Sequence, residues 1–337
     1  MMDEYEVKVR QQIKQYEAGI DEFPLPRIFH YYSHNFLRNK VASVFKTQSN
    51  VEFYASQFAS LYNGNSPLNI ISIGSGDGSQ EIEIARALLT LGVKFNMVGL
   101  DLLPDLVKQA NGAAKAVGLE GVFSAKIFDF NKHDIEIEVD GFMAHHSLHH
   151  ILELERLFDL IKRTIKPNGL FLTQDMIGRN GHMRWPETLA IVESVWDIID
   201  ERKKYHHQFK KTMHKYENYD CSHVGFEGIR AQDILPLLLE RFSFSKFVGC
   251  GGLIDVFTDR GYGPNFDPTD LADRCFIETI YAINEGLLET GAIKPTQMYA
   301  ALVKKQEKST CAYYRSQSPQ FCVRNPTMNY ATYPQHE

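Results

Sequence analysis

The stretch Asn69–Leu89, NIISIGSGDGSQEIEIARALL, decides the fold. A short apolar run ends in Gly74, Gly76 and Gly78, and a segment with helical periodicity follows the last glycine. Glycines at the end of a buried strand let the backbone turn sharply and approach a ligand closely. The stretch therefore predicts a buried strand, a nucleotide-binding loop and a helix, in that order.

The same rhythm of strand and helix continues along the chain. Further strand-like runs end at Asp101, Asp129 and Asp175, and segments with helical periodicity separate them. The helix that starts near Ile151 is expected to be closed by Pro167 and Gly169, before the fifth strand. Strands that alternate with helices form right-handed βαβ units and a mostly parallel sheet that is covered on both faces. The sequence thus predicts a doubly wound, Rossmann-like α/β fold.

The organisation of the chain follows from where this alternation starts, stops and resumes. Helical and aromatic-rich segments outside it are expected to form a lid over the sheet, and the polar tail is expected to be loosely held. The predicted units are an N-terminal helical lid (1–66), the cofactor-binding core (67–177), a helical cap insertion (178–230), the rest of the core (231–304) with a helical insertion (255–293), and a polar tail (305–337).

The composition argues against several classes of protein. With 44% hydrophobic and 23% charged residues, the 337-residue chain is typical of a globular protein. Its net charge of −6 provides no basic excess to neutralise phosphates, which argues against a general nucleic-acid binder. Five widely spaced cysteines without a CxxC pair argue against a disulfide framework or a zinc site. Because no segment has the apolar pattern of a signal peptide or a membrane span, we expect a cytoplasmic protein without a membrane partner.

Three details of the sequence narrow the choice of nucleotide that this loop could bind. The glycine spacing is GxGxG, whereas the dinucleotide fingerprint is GxGxxG, and no GxxxxGK[ST] phosphate loop occurs. Asp101 ends the second strand, where a carboxylate can accept hydrogen bonds from two ribose hydroxyls, although NAD-dependent enzymes share such an acid. Asp129 and Phe130 follow the third strand, where they can meet the amino group and the ring face of an adenine.

Together with the segment GFMAHHSLHHI (141–151) and KPNG, these residues make the sequence resemble the class I S-adenosylmethionine-dependent methyltransferases from about Leu68 to Asp175. The resemblance implies S-adenosyl-L-methionine as cofactor, S-adenosyl-L-homocysteine as product, and a seven-stranded sheet whose last strand is antiparallel. It implies that the glycine loop lies under the methionine part of the cofactor, that Asp101 holds the ribose and that Asp129 holds the adenine amine. The cofactor-binding residues so predicted are Gly74, Ser75, Gly76, Asp101, Leu102, Asp129, Phe130 and His145.

One position departs from the family, and two alternatives stay open. Where the family usually has an acidic residue two positions before the first glycine, this chain has Ser72. A water molecule or another side chain would then hold the amino group of the cofactor. The departure gives some weight to a non-catalytic binding protein that keeps the fold. The other alternative is an NAD(P)-dependent oxidoreductase, which the glycine spacing and KPNG disfavour and which a cofactor-binding measurement separates from a methyltransferase.

Histidines are the candidates for proton transfer, because an imidazole titrates near neutral pH. His145, His146, His149 and His150 follow the fourth strand, at the rim where cofactor and acceptor should meet. The predicted catalytic residues are His146, His149 and, after the fifth strand, His182. The alternative is that these histidines pack against the cofactor or cap the next helix. No metal is expected, because two adjacent pairs just past a strand do not give the helical geometry of an i, i+4 zinc site and the acid cluster of magnesium-dependent relatives is missing.

The loop after the fifth strand and the aromatic lid are the candidates for the acceptor site, since binding residues are often carried by loops over a rigid scaffold. The predicted acceptor-binding residues are Tyr32, Asp175, Arg184, Trp185 and Glu227. An arginine there could hold a carboxylate or phosphate. The alternative is that Arg184 and Glu187 only tie down the cap.

The resemblance favours transfer of a methyl group to an oxygen or nitrogen atom, ahead of carbon, of a small metabolite or specialised natural product. The expected partner is a small-molecule acceptor and not a nucleic acid. RNA and protein acceptors and a homodimer are left open by the sequence.

Overall fold

The computed structural model describes residues 4–17, 24–223, 225–307 and 309–325 of the chain. Within these residues, an eight-stranded sheet forms the centre and a separate two-stranded hairpin follows the fifth strand. The strands are β1 (Leu68–Ile73), β2 (Phe95–Asp101), β3 (Phe123–Ile127), β4 (Val139–His145), β5 (Ile165–Met176), β6 (Tyr205–His206), β7 (Lys211–Thr212), β8 (Phe242–Cys250), β9 (Gln297–Lys304) and β10 (Ala312–Tyr313), of which β6 and β7 form the hairpin.

The strand order across the sheet is β10-β8-β9-β5-β4-β1-β2-β3. Strands β1 to β5 run parallel to one another, and β9 runs antiparallel to its two neighbours, β5 and β8. The predicted doubly wound fold with an antiparallel last principal strand is therefore confirmed, and β10 adds a short edge strand beside β8. Strand β1 lies in the middle, so consecutive apolar residues are needed: Ile70 and Ile71 belong to the two cores on opposite faces.

Helices cover both faces of the sheet. One core packs α4, α5 and α6 against the sheet, and the other packs α7 and α9 against its opposite face. The helices are α1 (Glu4–Glu17), α2 (Arg27–Tyr32), α3 (Arg38–Phe45), α4 (Asn50–Ala59), α5 (Ser79–Thr90), α6 (Pro104–Ala116), α7 (Leu154–Thr164), α8 (Pro186–Ile198), α9 (Ala231–Arg241), α10 (Asp255–Thr258), α11 (Leu271–Thr290) and α12 (Pro319–Cys322), with a π-helical turn (Ser33–Leu37) between α2 and α3.

The N-terminal segment is less of a lid than the sequence predicted. Helix α4 lies under the sheet, where the ring of Phe58 occupies the space beside Gly141: a Cβ there would lie 2.4 Å from that ring. The hydroxyl of Tyr54, on the same helix, donates a hydrogen bond to the carbonyl of Ala144 at 2.9 Å. Of the N-terminal helices, α1 is the one whose residues line the cavity described below.

The cap insertion is less helical than predicted. Helix α8 occupies residues 186–198, and short 3₁₀ turns and the β6–β7 hairpin make up most of the rest. Trp196 ties the two parts together, because its buried indole donates a hydrogen bond to the carbonyl of Met213 at 2.9 Å. Gly181, Gly225 and Gly228 all have positive φ, which favours tight turns over helix in this segment.

Two further expectations differ from the structure. Helix α7 ends at Thr164 and β5 begins at Ile165, so KPNG lies inside the strand segment and does not form a separate turn before it. The tail is held rather than loose as far as residue 325: β10 pairs with β8, and Cys322 of α12 is buried. No helix in the described part of the chain combines the length and the apolarity that a bilayer crossing requires.

Candidate active site

The glycine loop between β1 and α5 lines a cavity of about 310 Å³ at the carboxyl ends of the parallel strands. Gly74, Gly76 and Gly78 have φ values of 64°, 54° and 76°, which only glycine adopts at little cost. A Cβ at Gly74 would lie 2.6 Å from the Cβ of Ser147, whereas the space beside Gly76 is open. The loop thus presents bare backbone to the cavity. All eight residues predicted to bind the cofactor line it: Gly74, Ser75, Gly76, Asp101, Leu102, Asp129, Phe130 and His145.

Asp101 ties the end of β2 to the glycine loop. Its carboxylate accepts hydrogen bonds from the backbone N–H of Gly76 at 2.8 Å and of Leu103 at 2.9 Å. Burial raises the pKa of Asp101, and the backbone donors oppose that rise. The carboxylate therefore both positions the loop and offers acceptor oxygens to the cavity.

Asp129 lies beyond β3 and is covered by α1. The hydroxyl of Tyr5 donates a hydrogen bond to Oδ1 of Asp129 at 2.7 Å, and the backbone N–H of Asn131 donates to the same oxygen at 2.9 Å. Gln12 accepts a hydrogen bond from the backbone N–H of Phe226 at 3.2 Å, and the rings of Tyr5 and Phe226 lie 5.8 Å apart. Helix α1 and the loop that carries Phe226 thus close this end of the cavity. The contact between these two aromatic residues joins distant parts of the chain and has no local signal in the sequence.

Glu81 is a cavity residue that the sequence analysis missed. It lies in the first turn of α5, is 2% exposed, and its Oε1 accepts a hydrogen bond from the Ser72 hydroxyl at 2.6 Å. Its Oε2 is buried and has no hydrogen-bond partner among the described residues. Burial raises the pKa of Glu81 to about 7. A buried acid thus contacts the position where the family's acid is missing. The signal in the sequence was an acidic residue on the buried face of a helix directly after the glycine loop.

His145, His146 and His150 line the cavity beyond the end of β4. His146 has a φ of 49°, and its Nε2 lies 3.2 Å from the side-chain amide of Gln174. Burial lowers the pKa of His145 to about 4 and that of His146 to about 3. Both rings are therefore neutral at physiological pH and can exchange hydrogen bonds with a ligand.

His149 points away from this row and pairs with Asp175. Its Nδ1 lies 2.6 Å from Oδ1 of Asp175, and its Nε2 lies 3.5 Å from Oε1 of Glu227. Burial alone would lower the pKa of His149, but the two carboxylates raise it to about 9. Asp175 is wholly buried and also accepts hydrogen bonds from the backbone N–H of Ser147 and Leu148. Its carboxylate is occupied within the protein, so Asp175 supports His149 rather than contacting an acceptor as the sequence predicted.

Glu227 brings a third loop to the same place. Its Oε1 lies 2.6 Å from Nε2 of His182, and its Oε2 lies 3.8 Å from Nε2 of His150. Although burial would raise the pKa of Glu227, the imidazoles hold it well below its usual range. The structure thus assembles a histidine–carboxylate cluster of His149, Asp175, His182 and Glu227. The sequence analysis had named these four residues, but it had placed them in two separate roles.

The other predicted acceptor residues lie elsewhere. Arg184 is buried in the cap, where Nη1 lies 3.4 Å from Oδ2 of Asp255, and this contact ties the cap to the segment after β8. The ring of Trp185 lies between the guanidinium groups of Arg179 and Arg324, at 5.6 and 4.5 Å. The ring of Tyr32 packs near that of another lid tyrosine and is 4% exposed. An acceptor contact by these three residues stays a prediction.

The fold and the cavity define an α/β enzyme that binds an adenosine-containing cofactor at the carboxyl ends of parallel strands. The chain matches the methyltransferase domain family over residues 65–234, which is 170 of its 337 residues, and it belongs to that family. It is an S-adenosylmethionine-dependent methyltransferase. Among curated proteins, no sequence matches it significantly.

Solved structures with a similar fold have low sequence identity to this chain. The StiE O-MT domain is 13% identical, with a TM-score of 0.45 over 84% of this chain and 81% of that one. The [4+2]-cyclase SpnF is 14% identical, with a TM-score of 0.44 over 83% and 98% of the two chains. Geranyl diphosphate C-methyltransferase from Streptomyces coelicolor A3(2) is 12% identical, with a TM-score of 0.42 over 75% of each chain. These likenesses concern the fold and do not select an acceptor.

Proposed function

We propose that this methyltransferase acts on an oxygen or nitrogen atom of a small metabolite, such as a natural-product intermediate. The observation that carries the proposal is the covered cavity, in which the cofactor residues share a wall with neutral His146. A cavity of about 310 Å³, partly closed by α1, suits a small ligand better than a nucleic acid. The net charge of −6 supports the same conclusion.

The residues of the cavity fit the family's cofactor. The open space beside Gly76 accommodates a ligand against the backbone, and the carboxylates of Asp101 and Asp129 suit ribose hydroxyls and an adenine amine. Bound S-adenosylmethionine supplies an electrophilic methyl group on a sulfonium. The protein supplies orientation and exclusion of water, which together can lower a barrier by about 7–11 kcal/mol in favourable cases.

Glu81 completes the cofactor set. Its unpartnered Oε2 is an acceptor that a protonated amino group would satisfy, and an unsatisfied buried acceptor costs about 1–3 kcal/mol. Ser72 then supports Glu81 through their 2.6 Å hydrogen bond instead of providing the charge itself. We infer that Glu81 holds the amino group of the methionine part of the cofactor.

His146 is the residue that we assign to the acceptor. It lines the cavity, its Nε2 is fixed by Gln174, and no described residue donates to or accepts from its Nδ1. Because the amide nitrogen of Gln174 can only donate, Nε2 of the neutral ring accepts and Nδ1 carries the hydrogen, so Nδ1 can donate a hydrogen bond to an oxygen or nitrogen atom of the acceptor. An O–H or N–H acceptor uses such a partner, and this favours oxygen or nitrogen over carbon.

The five free cysteines suit a reducing compartment, and we propose the cytoplasm.

The experiment is a calorimetric titration with S-adenosylhomocysteine, followed by a screen of small acceptors with methyl-labelled cofactor. Asp101→Ala should weaken binding about 10- to 150-fold, as expected for hydrogen bonds to a charged group of about 1.5–3 kcal/mol. Exposed Asp105→Ala, four residues further along the chain, is the matched control and should bind normally. Equal affinities of the two variants would refute the assignment of Asp101. Binding of NAD alone would favour the oxidoreductase, and label found only on carbon would overturn the O- or N-acceptor.

A further inference from the structure

We propose that His149, His182 and Glu227 bind a divalent transition-metal ion at the edge of the cofactor cavity. One donor atom from each residue lies within 4.8 Å of the other two donor atoms. His150 and Phe226, the chain neighbours of two of these residues, line the cavity. The inference goes beyond the proposed function, because it depends on neither the cofactor nor the identity of the acceptor.

The distances between the donor atoms already approach those of a metal site. Zinc binds histidine nitrogen and carboxylate oxygen at about 2.0–2.2 Å, so neighbouring donor atoms around one ion lie about 3–3.5 Å apart. Nε2 of His149 lies 3.5 Å from Oε1 of Glu227, which fits without movement. Nε2 of His182 lies 2.6 Å from the same oxygen, so this contact needs to open by less than about 1 Å.

Asp175 fixes which nitrogen of His149 is available. Its Oδ1 lies 2.6 Å from Nδ1 of His149, which leaves Nε2 free to ligate. Backbone N–H groups of Ser147 and Leu148 hold Oδ2 of Asp175 at 2.9 and 2.7 Å. A carboxylate behind a ligating histidine is the usual outer partner at a metal site, where it sets the tautomer and the ring orientation.

The two loops that carry the other donors are fastened to each other. The backbone N–H of Gly181 donates to the carbonyl of Gly228 at 2.9 Å, so the neighbours His182 and Glu227 are held face to face. His182 has a φ of 57°, which is uncommon for a residue other than glycine. The site is therefore held in place by the backbone on both loops.

The donor set selects the class of ion. Two imidazoles and one carboxylate suit Zn²⁺, Fe²⁺ or Mn²⁺, whereas Mg²⁺ and Ca²⁺ prefer oxygen donors alone. Three protein ligands leave a position open, as in catalytic zinc sites. Nδ1 of His150 is buried without a partner among the described residues, on the cavity side of this site. The open position suits an oxygen donor of the acceptor, such as a hydroxyl or carboxylate.

No metal was expected from the sequence, and the proposed donor set differs from the residues on which that expectation rested. The histidines after β4 do not share an α-helix, because His145 ends β4 and His149 and His150 lie in a 3₁₀ turn. The second histidine and the carboxylate come instead from residues 182 and 227, which the chain brings back from two later loops.

The test is calorimetric titration of the chelator-treated full chain with Zn²⁺ alone, for the wild type, Glu227→Gln and His182→Gln. The control is His214→Gln, because Nδ1 of exposed His214 lies 2.5 Å from Oε1 of Glu201, a histidine–glutamate pair with no third donor. Binding of S-adenosylhomocysteine to each variant checks that it is folded. Co²⁺ absorption in the visible range gives a second readout of the coordination.

We expect one Zn²⁺ per chain in the wild type and in His214→Gln. Either ligand substitution should weaken binding by more than about 100-fold, beyond the 10- to 100-fold typical of an outer-shell partner. No binding to the wild type would overturn the proposal and identify His149 as a proton-bearing link between two carboxylates. Equal Zn²⁺ affinity in the wild type and in folded Glu227→Gln and His182→Gln would overturn it as well, since the ion would then be held elsewhere.

Discussion

The cofactor side of the cavity and the histidine–carboxylate cluster are neighbours in the structure, but their residues come from the chain in different ways. The cofactor side uses positions just after successive strands: the glycine loop after β1, Asp101 at the end of β2 and Asp129 after β3. Parallel strands bring their carboxyl ends to the same edge, so sequence order alone places these residues together. The cluster takes His149 from the turn after β4, but it takes His182 and Glu227 from two later loops whose paths the sheet topology does not dictate. The sheet topology positions the residues of the cofactor side, whereas the packing of the lid loops positions those of the cluster.

The largest loss of stability should come from a substitution in the glycine loop. This substitution tests whether the backbone of the cofactor side tolerates no change. Gly74→Ala would put a non-glycine residue at a φ of 64°, with its Cβ 2.6 Å from that of Ser147. The left-handed backbone costs about 1–2 kcal/mol and overpacking about 1–3 kcal/mol. The expected loss is about 2–5 kcal/mol in the free energy of unfolding, measured in urea.

The control for that variant is Gly92→Ala. Gly92 also has a positive φ, 72°, but a Cβ there meets open space. Gly92→Ala should therefore lose only the cost of the left-handed backbone, about 1–2 kcal/mol in the free energy of unfolding. If both variants lose the same stability, the packing of Gly74 against Ser147 does not define the loop.

The second prediction concerns His146, the residue that lies between the two regions. His146→Asn keeps a residue type that tolerates a φ of 49° but removes the imidazole. If the ring orients the acceptor through Nδ1–H, kcat should fall by about 100-fold while the affinity for S-adenosylhomocysteine stays near that of the wild type. His207→Asn, in the β6–β7 hairpin, is the control. A loss of cofactor affinity without a larger loss of turnover would assign His146 to the cofactor side.

The order of motifs on successive strands was enough to predict the sheet and to name eight residues that line one cavity, while their contacts with the cofactor stay predictions. Three local differences from the expectation are that KPNG belongs to β5 and not to a separate turn, that the cap turns at its glycines, and that α4 packs under the sheet. Glu81 was missed because its role depends on facing Ser72 across the loop. The four residues of the cluster were named from the sequence, but their joining into one cluster could not be predicted, since hydrogen bonds among distant loops leave no periodic trace in the sequence.

The third prediction sharpens the role of Glu81. Glu81→Gln should weaken binding of S-adenosylhomocysteine about 10- to 150-fold, the loss expected for a hydrogen bond between charged groups of about 1.5–3 kcal/mol. Exposed Glu83→Gln on the same helix is the control. Unchanged affinity in Glu81→Gln would leave the cofactor's amino group with another partner.

The side-chain carboxyl of Glu81 should also make the free energy of unfolding depend on pH. Burial raises the pKa of Glu81 to about 7, whereas in the unfolded chain a glutamate titrates near about 4.3. Between these values the folded protein binds more protons than the unfolded chain, so the contribution of Glu81 to stability falls as the pH rises through this window. Urea unfolding from pH 4 to 8 should show this fall in the wild type and a smaller one in Glu81→Gln. Identical profiles would mean that Glu81 ionises freely in the folded state.

The smallest effect is expected at Trp185, and it tests whether the acceptor side extends beyond the cluster. In the structure the indole lies between Arg179 and Arg324 and does not reach the cavity. Such cation–π contacts at partly exposed sites are worth about 0.5–1 kcal/mol. Trp185→Leu should therefore lower the free energy of unfolding by about 1 kcal/mol and leave kcat and KM unchanged. A several-fold rise in KM for the acceptor, with normal cofactor affinity, would instead place this ring in the acceptor site. The acceptor site would then extend beyond Glu227 into the cap.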